Sequence, residues 1–241
     1  MIGLGRPRSS FASQVFDSFT AERKITLCLS SSSGVVSFGR GSVMMKNPYE
    51  TEILKSLTFT PLVANPSSHE GFFINVNTIK INGKKVSLDT PSVAVTQLSS
   101  VVPYTTMRSS IYSKFERAYL KAAMSNNMTR VPSVEPFGVC FGSEAKVPVP
   151  VIDLVLQSEM VKWRIYGRNS MVKVSDEVMC LGLLDGGENM RDSIVIGGYQ
   201  LEDVLLQFDF DSSMVGFSSS LLMRQTSCSD FKSGSMYGES V

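Results

Sequence analysis

Short runs in which every second residue is apolar, each closed by Gly, Pro, Asn or Ser, recur along most of this chain, and that pattern constrains its fold more than any other feature. A strand buried on one face has a side-chain period of two. The period predicts strands over residues 34–38, 72–81, 152–156, 161–166, 178–183, 194–196 and 205–210. Two segments break it. Residues 10–19 carry Phe11, Val15, Phe16 and Phe19, and residues 110–124 carry Ile111, Phe115, Tyr119 and Leu120, both at helical spacing. Asn82-Gly83 between alternating segments predicts a tight hairpin, because both central positions of a type I′ turn need positive φ. A mainly β chain of 241 residues has room for one large domain or two smaller ones, each able to bury a core.

With 23 basic and 22 acidic side chains, the chain has no excess to draw it to nucleic acid or to an anionic membrane, and no apolar run approaches the ~18 residues of a membrane span. Cys28, Cys140, Cys180 and Cys228 are widely separated, with neither a CxxC pair nor His-rich spacing that would read as zinc or a redox motif. Two long-range disulfides, in any of three connectivities, are preferred to four buried thiols. Asn127-Met128-Thr129 fits the glycosylation sequon, with Asn127 as acceptor, and agrees with an oxidising secretory compartment. The opening residues, Met1 to Arg8, lack the apolar core of a signal peptide. The expectation that reconciles these is a longer secreted precursor whose N-terminal part is missing here.

Catalytic chemistry finds few residues to work with. The single histidine, His69, lies in the polar stretch 65–71, which reads as a loop without a neighbouring nucleophile and base. Asp89, Asp185, Glu188, Asp192, Asp203, Asp209 and Asp211 could converge in space, although the Asp209–Asp211 pair reads as a solvated turn. Neither a metal site nor a cofactor is implied, and Gly3-Leu4-Gly5 and Gly39-Arg40-Gly41 read as turns rather than phosphate loops.

The stretch Ile194-Val195-Ile196-Gly197-Gly198-Tyr199-Gln200-Leu201-Glu202-Asp203, then Phe208-Asp209 and Val215-Gly216-Phe217-Ser218, resembles the C-terminal end of pepsin-like aspartic proteases. Trp163-Arg164-Ile165, Asn169-Ser170-Met171-Val172, Cys180-Leu181-Gly182 and Asp185-Gly186-Gly187 narrow the resemblance. They point to the plant branch of extracellular dermal glycoprotein, basic 7S globulin and the xylanase and xyloglucanase inhibitors. The resemblance implies a mainly β, pepsin-like fold in which residues 1–33 are a remnant of the N-terminal lobe and the crossing from it. Residues 34–228 would be the C-terminal lobe, of the xylanase-inhibitor type, and residues 229–241 a disordered tail. Cys140 would pair with Cys180, and Cys28 with Cys228.

Aspartic proteases hold one water between two carboxylates, each on an apolar-apolar-Asp-Thr/Ser-Gly loop. No Asp-Thr-Gly or Asp-Ser-Gly occurs in this sequence; Asp89-Thr90-Pro91, Asp192-Ser193-Ile194 and Asp211-Ser212-Ser213 all lack the glycine. By resemblance the second loop is Val101-Val102-Pro103-Tyr104-Thr105-Thr106-Met107, which puts Val102 at the expected aspartate. The implied function is therefore binding of a microbial glycoside hydrolase, a xylanase or xyloglucan endoglucanase, in plant defence, with inhibition as its candidate consequence. Leu222-Met223-Arg224-Gln225-Thr226-Ser227-Cys228 matches the segment whose arginine meets the hydrolase carboxylates, making Arg224, beside Gln225, the leading partner-binding residue. Lys146, in the loop after Cys140, is the second cation. The alternatives are a solvated surface role for Arg224, an aspartic endopeptidase, a storage or structural globulin, and a truncated product without function. Secretion to the apoplast follows from the same resemblance.

Overall fold

A computed structural model describes residues 11–19, 22–39, 43–45, 50–65, 68–88, 94–143 and 147–233. The strands form where the period of two predicted them, with local breaks. The expected strand over 72–81 is two, Ser68–Val76 and Thr78–Ile81, and that over 178–183 becomes Val178–Leu181 and Leu183–Asp185. The breaks fall at Asn77, whose N–H bonds Val155 O at 2.8 Å, and at Gly182, whose N–H bonds Ser170 O at 2.7 Å, both outside the ladders.

The chain divides into two compact units, residues 1–72 with 202–241, and residues 73–201. In the first, the strands run in the order Gly34–Phe38, Lys24–Leu29, Leu205–Asp209, Met214–Phe217, Thr58–Pro61, with antiparallel pairing throughout. Residues 24–38 are therefore one hairpin, Leu29 opposite Gly34, and the expected boundary at residue 33 falls in its turn. Behind this sheet Val35, Ile53, Leu57, Leu205, Leu221 and Phe231 pack around the Cys28–Cys228 disulfide. Residues 229–233, the start of the expected disordered tail, are ordered. Cys228–Asp230 is a 3-10 turn and Phe231–Ser233 a strand paired with Val43–Met45, because Phe231 is buried against the disulfide. Residues 234–241 lie outside the described residues.

The second unit contains the longest helix, Ser109–Ser125. Its buried stripe is Tyr112, Phe115, Tyr119 and Ala123, one position round from part of the expected stripe, with Ile111 and Leu120 only half buried. Burying each of these aromatic side chains contributes roughly 1.5–3 kcal/mol. The helix stops at Asn126 and Asn127, the latter at φ 62°. Thr105–Met107 runs parallel to Leu183–Asp185 and antiparallel to Ile194–Ile196, and Ile194–Ile196 runs parallel to Ala94–Leu98. The Asn82-Gly83 hairpin is present, with φ of 47° and 77°. Cys140 and Cys180 face each other directly across an antiparallel pair and are joined by the second disulfide. His69 corrects another expectation: it lies in the strand Ser68–Val76, not a loop, because strand formation there is decided by pairing with other strands of its sheet rather than by local polarity.

Candidate functional site

The turn that carries Arg224 is held from below. Leu221–Arg224 is a single 3-10 turn whose first residue plugs into the disulfide cluster. Leu221 N donates to Asp203 O at 2.7 Å, and the Asp203 carboxylate accepts from Cys228 N at 2.8 Å. Downstream, Ser227 and Asp230 form a capping box: Ser229 N donates to Ser227 Oγ at 3.1 Å and Ser227 N to Asp230 Oδ2 at 2.9 Å. Gln225 takes the left-handed conformation, φ 56°, and turns the chain back.

Anchored at both ends, the turn leaves Met223 (58% accessible), Arg224 and Gln225 exposed. Arg224 Nη2 donates to Ser56 Oγ at 3.2 Å, and that hydroxyl donates to Ile53 O at 2.9 Å, so the guanidinium is aimed by a residue 168 positions away. Among the described residues no carboxylate lies within ion-pair distance of Arg224, so its charge is unspent. Lys146 lies outside the described residues. Half-buried Glu202, at the base of the turn, has its carboxyl pushed up by burial and then by the neighbouring Asp203 charge.

The loop expected to replace the second catalytic loop is braced by the Ile194–Asp203 segment. Gly197 lies against it so closely that a Cβ there would sit 2.3 Å from the Tyr104 carbonyl carbon. Gly198 N donates to Val102 O at 2.7 Å and Tyr199 N to Pro103 O at 2.9 Å. Gln200, 1% accessible, spends its whole amide: Thr105 N and Thr105 Oγ1 each donate to Oε1 at 2.8 Å, while Nε2 donates to Asn169 O and Gly182 O at 2.9 and 3.0 Å. Gly197 N in turn donates to Thr105 Oγ1 at 3.2 Å.

The held loop presents hydrocarbon, with Val101 67% accessible and Val102 half buried. Neither side chain can accept or donate a proton. Tyr104 lies edge-on to Phe137 at 5.0 Å, beside the Cys140–Cys180 disulfide.

The carboxylates do separate jobs elsewhere. Asp185 accepts from Ser109 Oγ at 2.5 Å and from Gly187 N at 2.9 Å. Asp209 lies in the expected turn, accepting from Asp211 N and Ser212 N at 3.1 and 3.0 Å. Burial disfavours its charge, but the Ser212 bonds and Lys24, 3.7 Å away, together hold the carboxyl below its usual range. Asp192 is buried, Glu188 exposed and Asp89 outside the described residues. Among the described residues no three of His, Cys, Asp and Glu converge at metal-holding distance. Asn127 is exposed just past the long helix. Sequence reasoning missed Ser56, which carries no local signal, and the bracing role of Gln200, visible only as part of a motif.

Comparison with known proteins places this geometry. The family described as "Xylanase inhibitor C-terminal" matches residues 71–219. A relative from Nicotiana benthamiana, "Probable aspartic proteinase GIP2", is 46% identical over 96% of this chain and 58% of its own length. The crystal structure of edgp superposes with a TM-score of 0.87 at 42% identity, over 98% of this chain and 63% of that one. That of basic 7S globulin from soybean superposes with a TM-score of 0.82 at 32% identity, over 98% of this chain and 61% of that one. The chain thus spans about three fifths of the length of these relatives.

Proposed function

Because the chain belongs to the xylanase inhibitor C-terminal family and has its pepsin-like β fold, we propose that it is a secreted, non-catalytic protein that binds a microbial cell-wall-degrading glycoside hydrolase, with Arg224 as the central contact. One observation carries this reading: a guanidinium that has no carboxylate partner among the described residues, exposed on a turn pinned by a disulfide. Glycoside hydrolases work with paired carboxylates in a cleft, and a guanidinium stays charged and can bond a carboxylate through two N–H groups. A rigid turn loses little ordering entropy on entering such a cleft. Gln225 would add a neutral hydrogen-bonding group beside it, and Lys146 a second cation.

The name of the Nicotiana relative favours a second reading, an aspartic endopeptidase. Val102 counts against it, since a hydrocarbon side chain at that position cannot polarise a water. Secretion is supported by the two disulfides. No helix among the described residues is long and apolar enough to cross a membrane.

The test is binding of the oxidised protein to fungal xylanases and xyloglucanases, beside an acid peptidase assay. Arg224→Ala is expected to weaken binding by about 2–4 kcal/mol, roughly 30- to 1000-fold. Its stability should change by less than ~0.5 kcal/mol, because the side chain is exposed. Acid peptidase activity without hydrolase binding would overturn the proposal.

A further inference from the structure

In the second unit, Lys84–Lys85, Thr78–Ile81, Ile152–Val155 and Lys162–Ile165 form a four-stranded antiparallel sheet. Ile79, Ile81, Ile152, Leu154, Trp163 and Ile165 are buried on one face. The pleat sends Lys80, Lys85, Asp153, Lys162 and Arg164 to the other. Across one row Lys85 stands opposite Lys80, Lys80 opposite Asp153, and Asp153 opposite Arg164; Lys162 stands in the next row, opposite Val155.

Asp153 is consumed by Arg164, whose Nε and Nη2 donate to its two oxygens at 2.6 and 3.2 Å. That leaves Lys80 and Lys85 as like charges directly opposed, an arrangement that destabilises a sheet unless something neutralises it. The neutraliser is Glu159, from the turn joining the last two strands, which reaches back to Lys80 Nζ at 2.5 Å while staying 65% accessible. The hydrogen bond from Lys80, and then the charges of Lys80, Lys162 and Lys85, hold this carboxyl below its usual range. Lys85 and Lys162 have no carboxylate of their own within ion-pair distance among the described residues.

We propose that this face binds a linear polyuronate chain, with Lys80, Lys85 and Lys162 each meeting one sugar carboxylate and Glu159 holding the place of one of them. The chemistry is already displayed internally, since the group on Lys80 is a lone carboxylate hydrogen-bonded by one ammonium. Lysine suits separate carboxylates, whereas a planar dianion would call for a guanidinium fork, and the guanidinium on this face is closed on Asp153. Among the described residues the strands of this face carry no fully exposed aromatic side chain for stacking bases or anchoring a protein hot spot, and Tyr166, just beyond Arg164, is half buried. A stiff chain with its charges already spaced loses less entropy there than a flexible acidic polypeptide.

The test is titration of the whole oxidised protein with oligogalacturonate, with charge-matched poly-glutamate in parallel. Glu159→Gln should tighten oligogalacturonate binding roughly two- to fivefold by removing the competitor. The triple change Lys80→Gln, Lys85→Gln, Lys162→Gln should weaken it by more than about tenfold, and salt above ~0.1 M should weaken it in the unaltered protein. Equal binding of poly-glutamate, or an affinity unmoved by Glu159→Gln, would overturn the proposal. The Glu159 variant keeps the shape of the side chain, so the test survives even where the triple variant fails to fold. Hydrolase binding through Arg224 is a separate readout and stands or falls independently.

Discussion

Replacing Cys228 with serine, or reducing the Cys28–Cys228 bond, is expected to lower stability by about 3–5 kcal/mol. The two cysteines are 200 residues apart, so the bond closes most of the chain into one loop and removes a large part of the unfolded ensemble's freedom. Both are fully buried, and Val35, Leu205, Leu221 and Phe231 pack around them. A serine hydroxyl there would be left beside apolar side chains. Urea unfolding of the oxidised protein and of the Cys28→Ala/Cys228→Ala pair, which leaves no odd thiol or hydroxyl, measures the effect. A midpoint shift worth less than ~1 kcal/mol would show that the bond does not brace this unit. The same variant should bind a hydrolase less tightly, because the turn carrying Arg224 loses its floor; intact binding in a folded, reduced protein would separate the anchor from the proposed function.

Gly197→Ala is expected to lower stability by about 3 kcal/mol or more. Its Cβ would meet the Tyr104 carbonyl carbon at 2.3 Å, the Tyr104 oxygen at 2.6 Å and Thr105 N at 2.8 Å. These are backbone atoms of a loop tied to Gln200 and Gly198 and so cannot give way as a flexible side chain would. The adjacent Gly198→Ala is the control, since its nearest contact would be 3.6 Å, ordinary packing distance. It should change the melting temperature by no more than a few degrees. Comparable losses in the two variants would mean that the Ile194–Gly198 segment does not support the 99–105 loop as closely as the geometry requires.

Local signals were legible in proportion to how locally they are satisfied. Asn82-Gly83 sets its own turn through two positive φ angles, and the strands 34–38 and 194–196 are bounded by the apolar runs themselves. The disulfide pairing was legible only through the resemblance, since spacing left three connectivities open, and Arg224 only through its offset from Cys228. The strand Phe231–Ser233 was missed because its partner, Val43–Met45, lies far along the chain and each is three residues long. No short window carries that information. Ser56 under Arg224 and Glu159 on Lys80, 168 and 79 residues from their partners, were hidden for the same reason.

The sequence by itself determined that this chain is mainly β, that its cysteines are not spaced for zinc, and that it contains no Asp-Thr/Ser-Gly loop, because each is a property of neighbouring residues or of residue count. Tertiary structure alone decided which charges remain available for a partner. Arg164 and Arg224 read alike along the chain, yet one is closed on Asp153 and the other is aimed outward by a neutral hydroxyl. The physical reason is that a charge is neutralised by whatever the fold brings within a few ångströms of it, and those neighbours come from distant parts of the chain.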